Sequence, residues 1–118
     1  MNIVNIDFCM TSQKKLKPSF KFWIECEGKP ALGEGGANIL ESIEKEKSIL
    51  RAARELGMSY RYVWNYLRKI EKVIGEPVVE KHRGGKSGGG STTLNGRGRD
   101  LLTEYKRLKQ KLSVNSEK

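Results

Sequence analysis

The sequence predicts a mainly helical fold that carries a small β-hairpin, and three observations predict it. Two short amphipathic stretches meet at Gly57, and each is opened by a serine, Ser48 and Ser59. Two short β-prone segments, around Val78 to Arg83 and Ser91 to Leu94, are separated by a run holding five of the chain's 13 glycines. Apolar and polar residues alternate from Phe20 to Cys26, the pattern of a half-buried strand. At 118 residues the chain is long enough for one domain with a modest core.

Residues 1–18 lack sustained periodicity and end in Lys14, Lys15, Lys17 and Pro18, so they read as an arm. The strand that follows should bury Phe20, Phe22, Ile24 and Cys26. Glu27 to Lys29 can then turn the chain so that Pro30 to Leu32 return as a short edge strand. A helix starting between Glu34 and Ala37 and ending near Lys47 is predicted by the cluster of Ile39, Leu40 and Ile43. Ser48 can cap the next helix, whose apolar face is Ile49, Ala52, Ala53 and Leu56, and Gly57 stops it. Met58 is expected to be a buried turn residue, and Ser59 to cap a helix from Tyr60 to Ile74.

That last helix is the most informative segment. With Val63 at zero and about 100° per residue, Leu67, Ile70 and Ile74 fall within about 40° of it, one narrow apolar stripe. Arg61, Asn65, Arg68 and Lys72 fall between about 140° and 200°, and no acid shares their face. Such a face suits a DNA major groove, where Arg reads guanine, Asn reads adenine and the remaining cations hold phosphates. Arg61 and Asn65, with Tyr60, are the candidates for base edges; Arg68, Lys69 and Lys72 are the candidates for phosphates. Ser48 and Ser59 either present helix N-termini to phosphate or serve only as caps. Trp64 points to packing, and Tyr62 to either packing or the DNA backbone.

Charge placement agrees. Residues 1–47 carry seven Lys against seven acids, whereas residues 48–118 carry 16 Lys and Arg against seven acids, so the whole net charge of +9 lies in the second segment. An excess of this kind is the footprint of a polyanionic partner.

The stretch His82 to Ser91 could be a phosphate loop, a linker or a hairpin tip. A nucleotide-binding loop fails on spacing, because Gly85-Lys86-Ser87 would need a glycine where Glu80 stands. The flanking β-prone segments make it a hairpin tip, with Lys81, Arg83, Gly84, Gly85, Lys86 and Ser87 facing the DNA backbone. His82 belongs to this hairpin rather than to a catalytic site. A final helix, from about Gly98 to Lys111, spaces Leu101, Tyr105, Leu108 and Leu112 at intervals of four, three and four. That seam either packs on its own domain or pairs with a second copy.

Two helices joined by a brief turn, with Ala52 and Ala53 five and four residues before Gly57, form a helix-turn-helix pattern, and the hairpin adds a wing. The fold expected is a winged helix-turn-helix domain over residues 19–112, with an N-terminal strand or hairpin, a C-terminal helix and a tail at 113–118. Ala52-Ala53-Arg54 through Tyr60, Trp64, Gly75-Glu76-Pro77-Val78-Val79-Glu80, the Gly-rich loop and Gly98 before Leu101-Leu102 together resemble the N-terminal domain of the ModE family of molybdate-responsive regulators. The chain is similar more distantly to LysR-type DNA-binding domains. The resemblance runs from about Phe20 to Leu108 and implies a homodimeric DNA-binding regulator. It departs at Leu94-Asn95-Gly96, where the family often has Leu-Thr-Pro, and Asn95 can cap in its place. The family's molybdate-binding domain is not expected in a chain that ends at Lys118, so no cofactor is expected and sensing would fall to a separate effector protein.

Other functions find less support. No nucleophile is paired with a base, and a single His with Cys9 and Cys26 cannot assemble a metal site, so an enzyme is not expected. Free thiols and the lack of an apolar span place the chain in the cytoplasm, away from membranes. The alternatives that remain are a protein-interaction module and a non-specific nucleoid DNA binder.

Overall fold

The computed structural model describes residues 15–84 and 90–116, so Cys9, most of the N-terminal arm, and Gly85, Lys86 and Ser87 of the expected wing tip lie outside the described residues. The order of elements is β1 (Ile24–Cys26), β2 (Lys29–Leu32), α1 (Glu34–Glu46), α2 (Ile49–Leu56), α3 (Tyr60–Ile74), β3 (Val79–His82), β4 (Ser91–Leu94) and α4 (Gly96–Ser116). Each strand pair forms its own two-stranded antiparallel ladder. Mainly helical with a hairpin wing, this is the arrangement of a winged helix-turn-helix domain.

The first strand is shorter than its alternating pattern suggests. Glu27 and Gly28 turn the chain with φ of 50° and 82°, and Ile24 pairs with Leu32, after which β2 gives way to α1. Among the described residues, no strand pairs with Phe20 or Phe22. Phe20 is consequently 42 % exposed rather than buried, while Phe22 and Ile24 are half-buried against the core.

α1 is the central support, packing against α2, α3, α4, β2 and β4. Its Ile39, Leu40 and Ile43 are fully buried beside Ala52, Val63, Leu67, Val78 and Leu94. The near-zero exposure of Ala52 and Ala53 shows why small residues are needed there, since any longer side chain would force α2 away from its neighbours. The turn after α2 closes as expected: Gly57 takes a left-handed φ of 70°, and the Met58 amide donates back to the Ala53 carbonyl at 2.9 Å.

The C-terminal helix extends past both ends of its apolar spacing, and its start is fixed by a cap. Asn95 Oδ1 accepts from the Gly98 amide at 2.8 Å and Asn95 Nδ2 donates to the Pro77 carbonyl at 3.0 Å, so helix begins at Gly96. Gly98 is required by close approach: a Cβ there would lie 2.1 Å from the Val78 carbonyl oxygen. The seam Leu101, Tyr105, Leu108, Leu112 is divided. Tyr105 is buried within its own chain under Phe22, the ring centroids 5.2 Å apart, Leu101 and Leu108 are half-buried, and Leu112 is 42 % exposed.

Candidate nucleic-acid interface

The orientation of α3 follows from its buried stripe. Val63, Leu67 and Ile70 are held in the core, so Arg61, Asn65, Arg68 and Lys72 are turned outward, with Lys69 beside them, all exposed. Ser59 fixes the start of the helix by accepting from the Tyr62 amide at 3.0 Å. Among the described residues, Arg61, Asn65, Lys69 and Lys72 have no hydrogen-bonding or ion-pair partner for their side chains. The helix's single acid, Glu71, is spent elsewhere, its carboxylate accepting from the Val78 amide at 3.0 Å. The result is an exposed cationic face on which Arg61, Lys69 and Lys72 have no ion-pair partner among the described residues, bordered near Arg68 and Lys72 by Glu71 and Glu76.

The wing stands beside the start of this helix. In it Val79 pairs with Leu94, Glu80 with Thr93, Lys81 with Thr92 and His82 with Ser91. His82 Nε2 lies 3.0 Å from Thr93 Oγ1 across the ladder, which confirms it as a hairpin residue. The second strand is fixed to the helical body: the Thr92 amide donates to the Lys47 carbonyl at 3.0 Å, and the Leu94 amide to Glu44 Oε1 at 3.0 Å. Arg99 joins the same corner, donating to the Leu94 carbonyl at 2.7 Å and to Glu44 Oε2 at 3.3 Å. An open cleft separates the outer end of the wing's ladder from the N-termini of α2 and α3, lined by Ser48, Leu50, Tyr60, Lys81, Ser91 and Thr92. Ser48 caps α2 by accepting from the Arg51 amide at 3.0 Å, so the positive end of that helix opens toward the cleft. Arg83 and Gly84 are exposed past the end of β3.

The segment that holds α2, α3 and the hairpin has counterparts among known proteins. Residues 37–99 match the family model described as bacterial regulatory helix-turn-helix protein, lysR family. The chain belongs to that family. Within this LysR family frame, α2 and α3 are the helix-turn-helix proper. Relatives include the molybdenum transport protein ModE of Azotobacter vinelandii, 37 % identical over 78 residues, which are 66 % of this chain and 28 % of that protein. The transcriptional regulator ModE of Haemophilus influenzae is 35 % identical over 72 residues, 61 % of this chain and 28 % of its own length. The DNA-binding transcriptional dual regulator ModE of Escherichia coli K12 is 32 % identical over 73 residues, 62 % of this chain and 28 % of its own length. This chain thus matches little more than a quarter of each relative.

Several residues of the LysR family domain have roles that spacing does not reveal. Trp64 is half-buried, and its indole N–H donates to the Tyr60 hydroxyl at 2.7 Å. Tyr60, expected at a base edge, is thereby tied to its own helix and is 47 % exposed beside the cleft. Tyr62 is 50 % exposed, its ring edge-on to Tyr66 at 6.0 Å. The clamp made by Glu44, Lys47 and Arg99 on β4 leaves no signal in the sequence beyond ordinary helix-surface charge.

Proposed function

We propose that this chain is a sequence-specific double-stranded DNA-binding transcription regulator. The observation that carries the reading is the outward face of α3, where exposed Arg61, Asn65, Arg68, Lys69 and Lys72 share no acid. In this reading Arg61 and Asn65 meet base edges in the major groove, while Arg68, Lys69 and Lys72 hold phosphates on either side. Tyr60 borders the same groove. Ser48, Ser59 and the wing residues Lys81, Arg83, Gly84, Gly85, Lys86 and Ser87 follow the flanking backbone. Two relatives, named as a transcriptional regulator and as a DNA-binding transcriptional dual regulator, support the same reading.

The working form is a homodimer, since one helix reads few base pairs and a two-fold pair reads a palindrome. Leu101, Leu108 and Leu112 of α4 supply its apolar surface, with Tyr105 supporting them from beneath. Such a protein works on the chromosome in the cytoplasm. The reading needs no cofactor and no catalytic step.

Fluorescence anisotropy on genomic duplex fragments across a salt series tests it. One fragment should bind far more tightly than the others. Arg61→Ala and Asn65→Ala should each remove about 1–3 kcal/mol of that discrimination while leaving the weak, salt-sensitive component. Equal weak binding to every duplex, unchanged in both variants, would transfer the basic face to a non-specific or protein-binding role. Sedimentation equilibrium of the wild type against Leu112→Lys tests the dimer.

A further inference from the structure

Trp64 sits where the helix-turn-helix meets the wing. Its N–H donates to the Tyr60 hydroxyl one turn back on α3, and the Lys81 ammonium of β3 lies 4.5 Å from the centroid of its ring. The Arg68 guanidinium is 5.8 Å from the same centroid. Tyr60 and Lys81 both line the cleft, opposite the capped N-terminus of α2. One half-buried indole therefore touches both groups that face Ser48 across this space.

We propose that Trp64 is a positioning residue for DNA binding, holding Lys81 and Tyr60 in the places from which they engage one backbone phosphate in the cleft. This rests on the DNA-binding reading above. The physical case begins with Lys81, whose long flexible stem would lose its rotamer freedom on meeting a phosphate. Seating the ammonium over the indole face beforehand moves that ordering cost from binding to folding. An aromatic face attracts the cation without supplying a counter-charge. The full positive charge stays available to a phosphate, which a carboxylate at position 64 would cancel. Tyr60 is arranged in the same sense: its oxygen accepts from the indole, so its own proton is left to donate outward. The helix and the wing then meet DNA as one preset unit.

The test uses the full chain with Trp64→Leu, Lys81→Gln, the double variant, and Trp64→Phe, which keeps a ring face and loses the N–H. The probes are the tightest duplex recovered from a randomised pool and a scrambled duplex, titrated across a KCl series. Trp64→Leu should weaken binding about tenfold and lower the salt slope by about one, as Lys81→Gln does. The double variant should bind no more weakly than either single one. Trp64→Phe should keep the wild-type salt slope. Additive losses, or a Trp64→Leu slope equal to wild type, would overturn the proposal while the wild type still binds DNA. A wild type with neither duplex preference nor salt slope would instead overturn the DNA-binding reading, and this proposal with it. Should Trp64→Leu fail to fold, the Trp23→Phe background leaves Trp64 as the single tryptophan. Its emission should then change on Lys81→Gln and on addition of DNA, and an emission indifferent to Lys81 would reject the arrangement.

Discussion

Two regions of this molecule treat positive charge in opposite ways. On the side formed by α1, α2 and α4, Lys45 pairs with Glu55, Arg99 with Glu44 at 3.3 Å, Lys106 with Glu41 at 2.6 Å and Arg107 with Glu104 at 2.6 Å. On α3, Arg61, Lys69 and Lys72 pair with nothing described. Exposed ion pairs add little stability, but they cancel one another's field. Unpaired cations on one helix repel each other in the free protein and keep their field for an incoming polyanion. What separates the α3 face from the opposite side here is the placement of acids, not the number of bases.

The largest expected effect breaks this comparison directly. Arg68→Glu with Lys72→Glu should weaken duplex binding by on the order of a hundredfold at physiological salt, whereas Lys106→Glu should change it by no more than about threefold. Equal losses measured by anisotropy would mean that net charge alone governs binding. A smaller change sharpens the contrast: Lys72→Ala should lower affinity similarly for every sequence and reduce the salt slope by about one.

Next in size is the pH response of the paired side. The Lys45 ammonium, with help from the Ser42 hydroxyl, holds the Glu55 carboxyl below the usual carboxylate range, and Glu55 in turn raises Lys45. A depressed carboxyl stabilises the fold above its unfolded value, about 4.3, and that contribution disappears as pH falls through the folded value. Glu55→Gln should therefore melt below wild type at neutral pH, and the gap should close below about pH 4. A gap that persists in acid would assign the difference to packing.

The smallest effect concerns the interior beneath α4. The Tyr105 hydroxyl is buried with no hydrogen-bond partner among the described residues, and burial, with Glu34 nearby, raises its pKa. Tyr105→Phe should leave stability unchanged or raise it by up to about 1 kcal/mol. A clear loss in thermal melts would reveal a partner for that oxygen.

The helix-turn-helix was legible in the sequence because its determinants are local. Ser48, Gly57 and Ser59 act within a turn of themselves, and the Val63, Leu67, Ile70 stripe fixes which side of α3 faces out. What escaped depends on partners distant in the chain. The short β1 follows from how soon α1 begins, so the Phe20 to Cys26 alternation overstated it. The seam on α4 looked continuous because nothing in its spacing shows that Phe22 covers Tyr105. Trp64 read as packing because Lys81 reaches it only once the wing has folded back.

The corner where α1 grips β4 has a consequence for solubility. A two-stranded ribbon has two open edges, and each can recruit a strand from a neighbouring molecule. Here the outward amides of Thr92 and Leu94 are already taken by the Lys47 carbonyl and the Glu44 carboxylate. Only the β3 edge is left, and it carries the charged side chains of Glu80 and Lys81. The described strands of the wing are therefore held along one edge by the body and guarded along the other by charge, and they offer no open ladder as a template for aggregation.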